Sequence, residues 1–203
     1  MKVVKIVVTG GPCGGKSTAL AYIKQTAEAQ GFCVLTVGET ATELISGGVA
    51  PWTCATNAVY QGFQIALQKY KEELFLAAAS TMGAEKVLLL CDRGLLDNRA
   101  YMTEEEFASC LCVRGETLEE YLARYDAVFH LTTAAIGAEA FYTTANNKAR
   151  TETVEQAREV DARLLVAWKE HKRHTVIDND GDFSDKMRRL CDAVSGLLSE
   201  AEK

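Results

Sequence analysis

Gly10, Gly11, Pro12, Cys13, Gly14, Gly15, Lys16 and Ser17 follow one another in the pattern G-x-x-x-x-G-K-[ST], which cradles phosphate where a strand precedes it and a helix follows. The glycines reach backbone angles closed to other residues, so successive N–H groups can turn inward around an anion. Lys16 supplies a mobile charge for the outer phosphates, Ser17 offers a hydroxyl to Mg2+, and Thr18 reaches the α-phosphate. This run predicts that a nucleoside triphosphate binds with Mg2+, with ATP and GTP both open. Lys16 is expected to be solvated when no phosphate is present.

Other candidates stand where apolar runs end. Asp92 follows the run Lys86–Cys91, where a carboxylate holds Mg2+ directly or through water. Arg93 beside it can neutralise a moving phosphoryl group or grip an acceptor. A hydrolytic ATPase normally follows this acid with a glutamate base, and here arginine follows. Glu39 closes the run Cys33–Val37, where a carboxylate can orient an acceptor hydroxyl or take its proton, with Glu43 as the alternative. Residues 134–150 hold alanines, a glycine and paired asparagines without clear periodicity, and read as a lid that excludes water during transfer. Arg150 is the lid arginine of this reading, in competition with Arg158 and Arg163, and Tyr142, Asn146 and Asn147 frame the lid. Asn179 and Asp180, in the turn 178–182, are candidates to contact the purine. Gln61, Gln64 and Gln68 fall on one helical stripe, either binding a sugar or base or simply exposed. The catalytic set is therefore Lys16, Glu39, Asp92, Arg93 and Arg150, with Ser17 and Asp92 as metal ligands.

The elements needed to place these residues are legible. The branched run Val3–Thr9 reads as a buried parallel strand, and Leu20, Ile23 and Ala27 give the helix Ser17–Gln30 its apolar stripe. Strands follow at 33–37, 86–91, 127–131 and 175–177, and helices at 42–47, 58–82, 104–112, 117–124, 151–172 and 183–199. The alternation predicts an α/β fold: a five-stranded parallel sheet with helices on both faces, a P-loop kinase-like three-layer α/β/α arrangement.

Composition narrows the functional classes. The 203 residues suffice for one substantial core, and a single domain over 1–203 is expected. A net charge of −6 argues against nucleic acid as a partner. No apolar stretch approaches the roughly 20 residues of a transmembrane helix, and Met1-Lys2 leads straight into the first strand, so a cytoplasmic location is expected. The seven cysteines lack zinc-site spacing and read as reduced thiols. Cys110 and Cys112 would point to different helix faces, and Cys13 is either incidental or open to oxidation within the loop.

Taken together, Gly10 through Thr18, the stretch Glu39-Thr40-Ala41-Thr42-Glu43-Leu44, Cys91-Asp92-Arg93-Gly94-Leu95-Leu96-Asp97 and Asn146-Asn147-Lys148-Ala149-Arg150-Thr151-Glu152 resemble the NadR/TRPL-translocation-defect type of P-loop domain over nearly the whole chain. The resemblance implies a thymidylate-kinase-like fold. One branch of that group is the nicotinamide-riboside kinase domain, which uses ATP and Mg2+ to phosphorylate a nucleoside; the other holds eukaryotic domains that bind GTP and work in trafficking. The reading that follows is a kinase acting on a small nucleoside-like acceptor. The alternative is an ATP- or GTP-binding regulatory or slow NTPase module acting through a protein or lipid partner. Asn147-Lys148-Ala149-Arg150 lacks the aspartate of the guanine-reading N-K-x-D signature, which weighs against a Ras-like switch.

Overall fold

From Val4 to Thr9, β1 (Lys2–Thr9) is buried on both faces, as a strand sandwiched between helix layers must be. In the computed structural model, which describes residues 1–142 and 153–201, this strand is the centre of a five-stranded all-parallel sheet of order β2-β3-β1-β4-β5. β3 (Lys86–Asp92) flanks it in register from Lys2 against Lys86 to Val8 against Asp92. β4 (Ala127–Leu131) flanks the other side, with Thr9 against His130. β2 (Cys33–Val37) and β5 (His174–Ile177) are the edges. Because β2 and β3 lie on one side of β1 and β4 and β5 on the other, connections leaving the strands' carboxyl ends diverge there and open a crevice.

Alternation along the strands sorts the core into two layers. Val4, Ile6 and Val8 meet α1 (Lys16–Ala29) and α7 (Phe183–Ala201) through Ala19, Ile23, Leu190 and Val194. Val7, Leu89, Cys91 and Val128 face the opposite layer, where α3 (Asn57–Ala79) brings Ile65 and α6 (Val154–Trp168) brings Leu164 and Trp168. This is a P-loop α/β/α fold. Short helices α2 (Thr40–Ser46), α4 (Glu104–Arg114) and α5 (Leu118–Ala123) complete it. Thr103 with Glu106, Thr117 with Glu120 and Thr153 with Gln156 form capping boxes that fix the starts of α4, α5 and α6.

Two differences from the sequence reading bear on the site. The sequence reading assigns no element directly after Arg93, and there the chain winds into a 3-10 turn, Leu95–Tyr101. Buried Asp97 causes this: it accepts from Gly94 N (3.1 Å), Thr9 Oγ1 (2.6 Å) and Trp168 Nε1 (2.7 Å), folding the chain back over the sheet end. Helix α6 ends at Trp168 rather than near 172, because the His171 N–H bonds back to the Trp168 carbonyl. Of the lid segment, Ala134 and Ala135 are buried and a 3-10 turn spans Glu139–Phe141. Asn146, Asn147 and Arg150 lie outside the described residues.

Gly94 is where the turn, β1 and α6 meet: a Cβ there would sit 2.5 Å from the Trp168 ring and 2.8 Å from Val7 Cγ2. Gly94→Ala is therefore expected to lower unfolding stability by about 1–3 kcal/mol, as overpacking of a rigid core does. A urea midpoint equal to that of the unsubstituted protein would contradict this contact.

Candidate nucleotide site

The loop between β1 and α1 crosses the end of β4 so closely that a Cβ on Gly10 (φ 130°) would lie 2.0 Å from the Leu131 carbonyl oxygen. Gly15, at φ 89°, is the N-cap of α1. Among the described residues only Cys13 (φ 57°) and Arg93 (φ 77°) carry a side chain at positive φ, and both line this crevice. Such backbone persists only where neighbours over-determine it. Ser17 and Thr18 are exposed in the first turn of α1, where the helix leaves N–H groups for an anion.

Lys16 is not solvated as its sequence setting suggests. It is 8% exposed, and its ammonium donates to the carbonyls of Gly10 (2.9 Å) and Gly11 (2.8 Å). Arg93 Nη1 donates to the same Gly10 oxygen at 2.9 Å, and Arg93 Nε reaches Glu39 Oε1 at 3.4 Å. The sheet register explains the meeting. Asp92 pairs with Val8, the Arg93 N–H bonds to the Val8 carbonyl, and β2 ends beside β3 with Val37 against Cys91, so Glu39, Arg93 and the loop converge.

The two carboxylates differ. Burial would raise both, but Arg93, the Thr42 hydroxyl and Lys16 outweigh it at Glu39 and hold that carboxyl below its ordinary range. Asp92 is raised by burial and by nearby Glu39, against the pull of Arg93 and Lys16. Its Oδ1 is buried and finds no hydrogen-bond partner among the described residues. An orphaned carboxylate oxygen at the mouth of an anion-binding loop fits a cation or a cation-bound water, so the donors present suit Mg2+ held by Asp92 and Ser17.

Beyond Glu39 lies a second wall. Thr40 Oγ1, Tyr60 Oη, Gln61 Oε1 and Asn98 Oδ1 are all buried without a hydrogen-bond partner among the described residues. Burial, together with Glu39, Cys54 and Tyr101, pushes the Tyr60 phenol up to about 12. Gln61 donates to Asn57 Oδ1 (3.1 Å), and Asn57 donates to the Tyr101 carbonyl, so α3 and the 3-10 turn face each other across this wall. The three glutamines are buried rather than exposed, yet they do not act alike: Gln68 spends its amide on the Arg93 carbonyl (2.8 Å).

On the opposite flank, Asn179 donates to the carbonyls of Thr133 (2.8 Å) and Ile136 (2.6 Å) and accepts from buried Lys186 (2.7 Å), so its amide ties the start of the lid segment to β5 and α7. Asp180 is exposed. Phe183, half-exposed, lies against Gly15, where a Cβ would meet Phe183 Cε2 at 2.7 Å. A family model described as an AAA domain matches residues 5–186, a span that contains every element of this crevice. The chain belongs to the AAA-domain family. No curated protein matches it. In an AAA domain this loop is a nucleotide-binding loop, and no helix of the described residues is long and apolar enough to cross a membrane.

The least expected residue of this AAA domain is Asp161. It sits on the buried stripe of α6 with Ala157, Leu164 and Trp168, a spacing that marks an acid facing the core. Its Oδ1 accepts from Gly11 N (2.7 Å), Thr133 N (3.1 Å) and the His130 ring nitrogen Nε2 (3.1 Å), while Thr133 donates its hydroxyl to the Pro12 carbonyl. Burial would raise this carboxyl, but His130 and the two N–H groups outweigh it and lower it. A carboxyl depressed by folding contributes stability above its unfolded value and loses it as pH falls through the folded one. Asp161→Asn is thus expected to lower Tm at pH 7 and to flatten the stability loss below about pH 4. Parallel acid limbs in the two proteins would contradict the assignment. Lys16→Ala should weaken triphosphate binding at least about tenfold, with a stability loss near about 1 kcal/mol as the Gly11 carbonyl loses its donor while the Gly10 carbonyl keeps Arg93; calorimetry and thermal melting measure both.

Proposed function

We propose that this AAA-domain chain is a Mg-ATP- or Mg-GTP-dependent kinase that transfers the γ-phosphoryl group to a hydroxyl of a small nucleoside-like acceptor, nicotinamide riboside among the candidates. The carrying observation is the convergence of Lys16 and Arg93 on the Gly10 carbonyl with Glu39 beside them. The residue after Asp92 is a cation placed for a phosphoryl group, not a carboxylate placed for water. Mg2+ bound by Ser17 and Asp92 would neutralise charge on the outer phosphates. The loop N–H groups bind the triphosphate, Lys16 and Arg93 stabilise charge on the phosphoryl group in flight, and ionised Glu39 orients the acceptor hydroxyl and takes its proton. Arg150 would add a third cation from the lid, with Arg158 and Arg163 its competitors, and Phe183, against Gly15, offers the base an aromatic face.

The orphaned wall suits such an acceptor. Gln61 and Asn98 present lone pairs, and Thr40 and Tyr60 present hydroxyls, a set that asks for O–H and N–H donors from the ligand. Cations near it are already engaged: Lys71 by Glu43 and the Gly38 carbonyl, Lys69 and Arg114 by Glu116, Arg99 by Glu104 and Glu170. Among the described residues this leaves a second phosphate poorly served, which favours a nucleoside over a nucleoside monophosphate.

Incubation with Mg-ATP or Mg-GTP and a panel of nucleosides and their monophosphates, read by mass, tests the proposal. Phosphorylated nucleoside is the expected product, and Glu39→Gln should slow its formation about 100-fold or more while nucleotide affinity stays within about twofold. Phosphate release that no acceptor accelerates would favour the NTPase alternative and contradict the kinase.

A further inference from the structure

The backbone of Arg93 is turned into the left-handed region, and besides the longer Glu39 contact three hydrogen bonds hold the residue there. Its N–H donates to the Val8 carbonyl (3.0 Å), its guanidinium to the Gly10 carbonyl (2.9 Å), and its own carbonyl accepts from Gln68 Nε2 (2.8 Å). The first two contacts come from the loop side. Only the third comes from α3, and it is the one that fixes the peptide plane after Arg93 against that helix.

Gln68 does not stand alone. Its Nε2 also reaches Glu72 Oε1 at 3.3 Å, one turn along α3. Glu72 is fully buried, accepts from Tyr125 Oη (2.8 Å) on the same oxygen, and pairs through its other oxygen with Lys5 Nζ (2.6 Å) and Arg124 Nη2 (3.3 Å). Tyr125 Oη accepts the Leu95 N–H at 3.0 Å, which closes the circuit two residues after Arg93. A lysine at a core position of a central strand, neutralised by a buried glutamate, gives little net stability over an apolar set, so its use is to specify an arrangement. What it specifies is the direction of the Gln68 amide. A carboxylate offers only lone pairs, so the NH2 end of Gln68 must face Glu72, and the same NH2 is then presented to the Arg93 carbonyl; the flipped amide would set oxygen against oxygen.

We infer that Gln68, oriented by Glu72, is a positioning residue that holds Arg93 in its turned conformation and so aims the guanidinium at the terminal phosphoryl group. The inference rests on the proposed site, in which Arg93 serves that group. It goes beyond it in assigning a device built from α3, β1 and the segment before β4, outside the loop itself.

The test is the affinity ratio of Mg-triphosphate over Mg-diphosphate, because a guanidinium aimed at the terminal phosphoryl group adds to the binding of the first and not of the second. Calorimetry on the full chain compares the unsubstituted protein, Gln68→Met, Arg93→Ala and the double variant, with thermal melting to confirm folding. Gln68→Met should shrink the ratio about tenfold with diphosphate affinity within about twofold, and should change nothing further when Arg93 is already alanine. Glu72→Gln, read by the same ratio, replaces Gln68→Met if that variant does not fold, and should give a loss in the same direction. An unchanged ratio in Gln68→Met, or an equal further loss in the Arg93→Ala background, overturns the positioning role while leaving the nucleotide site intact. If the unsubstituted protein binds no triphosphate, the proposed function falls, and this inference with it.

Discussion

The carbonyl oxygen of Gly10 accepts from Lys16 and Arg93 at once, and that shared acceptor ties the first crossover of the sheet to the third. Both cations are brought there by backbone that costs free energy to hold: a glycine at φ 130° pressed on the end of β4, and an arginine at φ 77°. The site is stable only because the sheet register fixes where β1 and β3 stop. A shift of one residue in that pairing would turn Arg93 to the other face of the sheet and dissolve the convergence.

Three buried acids carry the arrangement outward from the loop. Asp97 folds the chain after Arg93 back across the sheet, Asp161 holds Gly11 and the end of β4 from α6, and Glu72 steadies Gln68 from α3. Asp97 and Asp161 each accept from backbone N–H groups that would otherwise be left without a partner, while Glu72 acts through side chains alone. Nucleotide binding by this AAA domain is therefore a property of the packed layers as much as of the glycine-rich loop.

The sheet, its neighbours and the phosphate loop were legible in the sequence because their signals are local: a branched run, a glycine pattern, a helical stripe, all within adjoining residues. Glu39, Asp92 and Arg93 were open to selection as candidates because strand ends gather at one edge of any parallel sheet. Glu72, Asp161 and Lys5 were not, since a charged residue on a buried stripe reads as surface until its distant partner is known. Lys16 was read as solvated for the related reason that its acceptors are carbonyls, which no side-chain pattern announces. The stripe of glutamines shows the limit most clearly: Gln61 and Gln68 share a helix face, yet one leaves an oxygen bare toward the outer wall and the other is spent on the Arg93 peptide.

The central claim is that a triphosphate seats in the cradle with its terminal group between Lys16 and Arg93. Titration with a Mg-bound non-hydrolysable triphosphate, followed by nitrogen-15 NMR, tests it residue by residue. The account predicts that the amides of Gly14 through Thr18 and the Nε–H of Arg93 shift most, and together. Shifts confined to the opposite edge of the sheet, or none at saturating ligand, would contradict it.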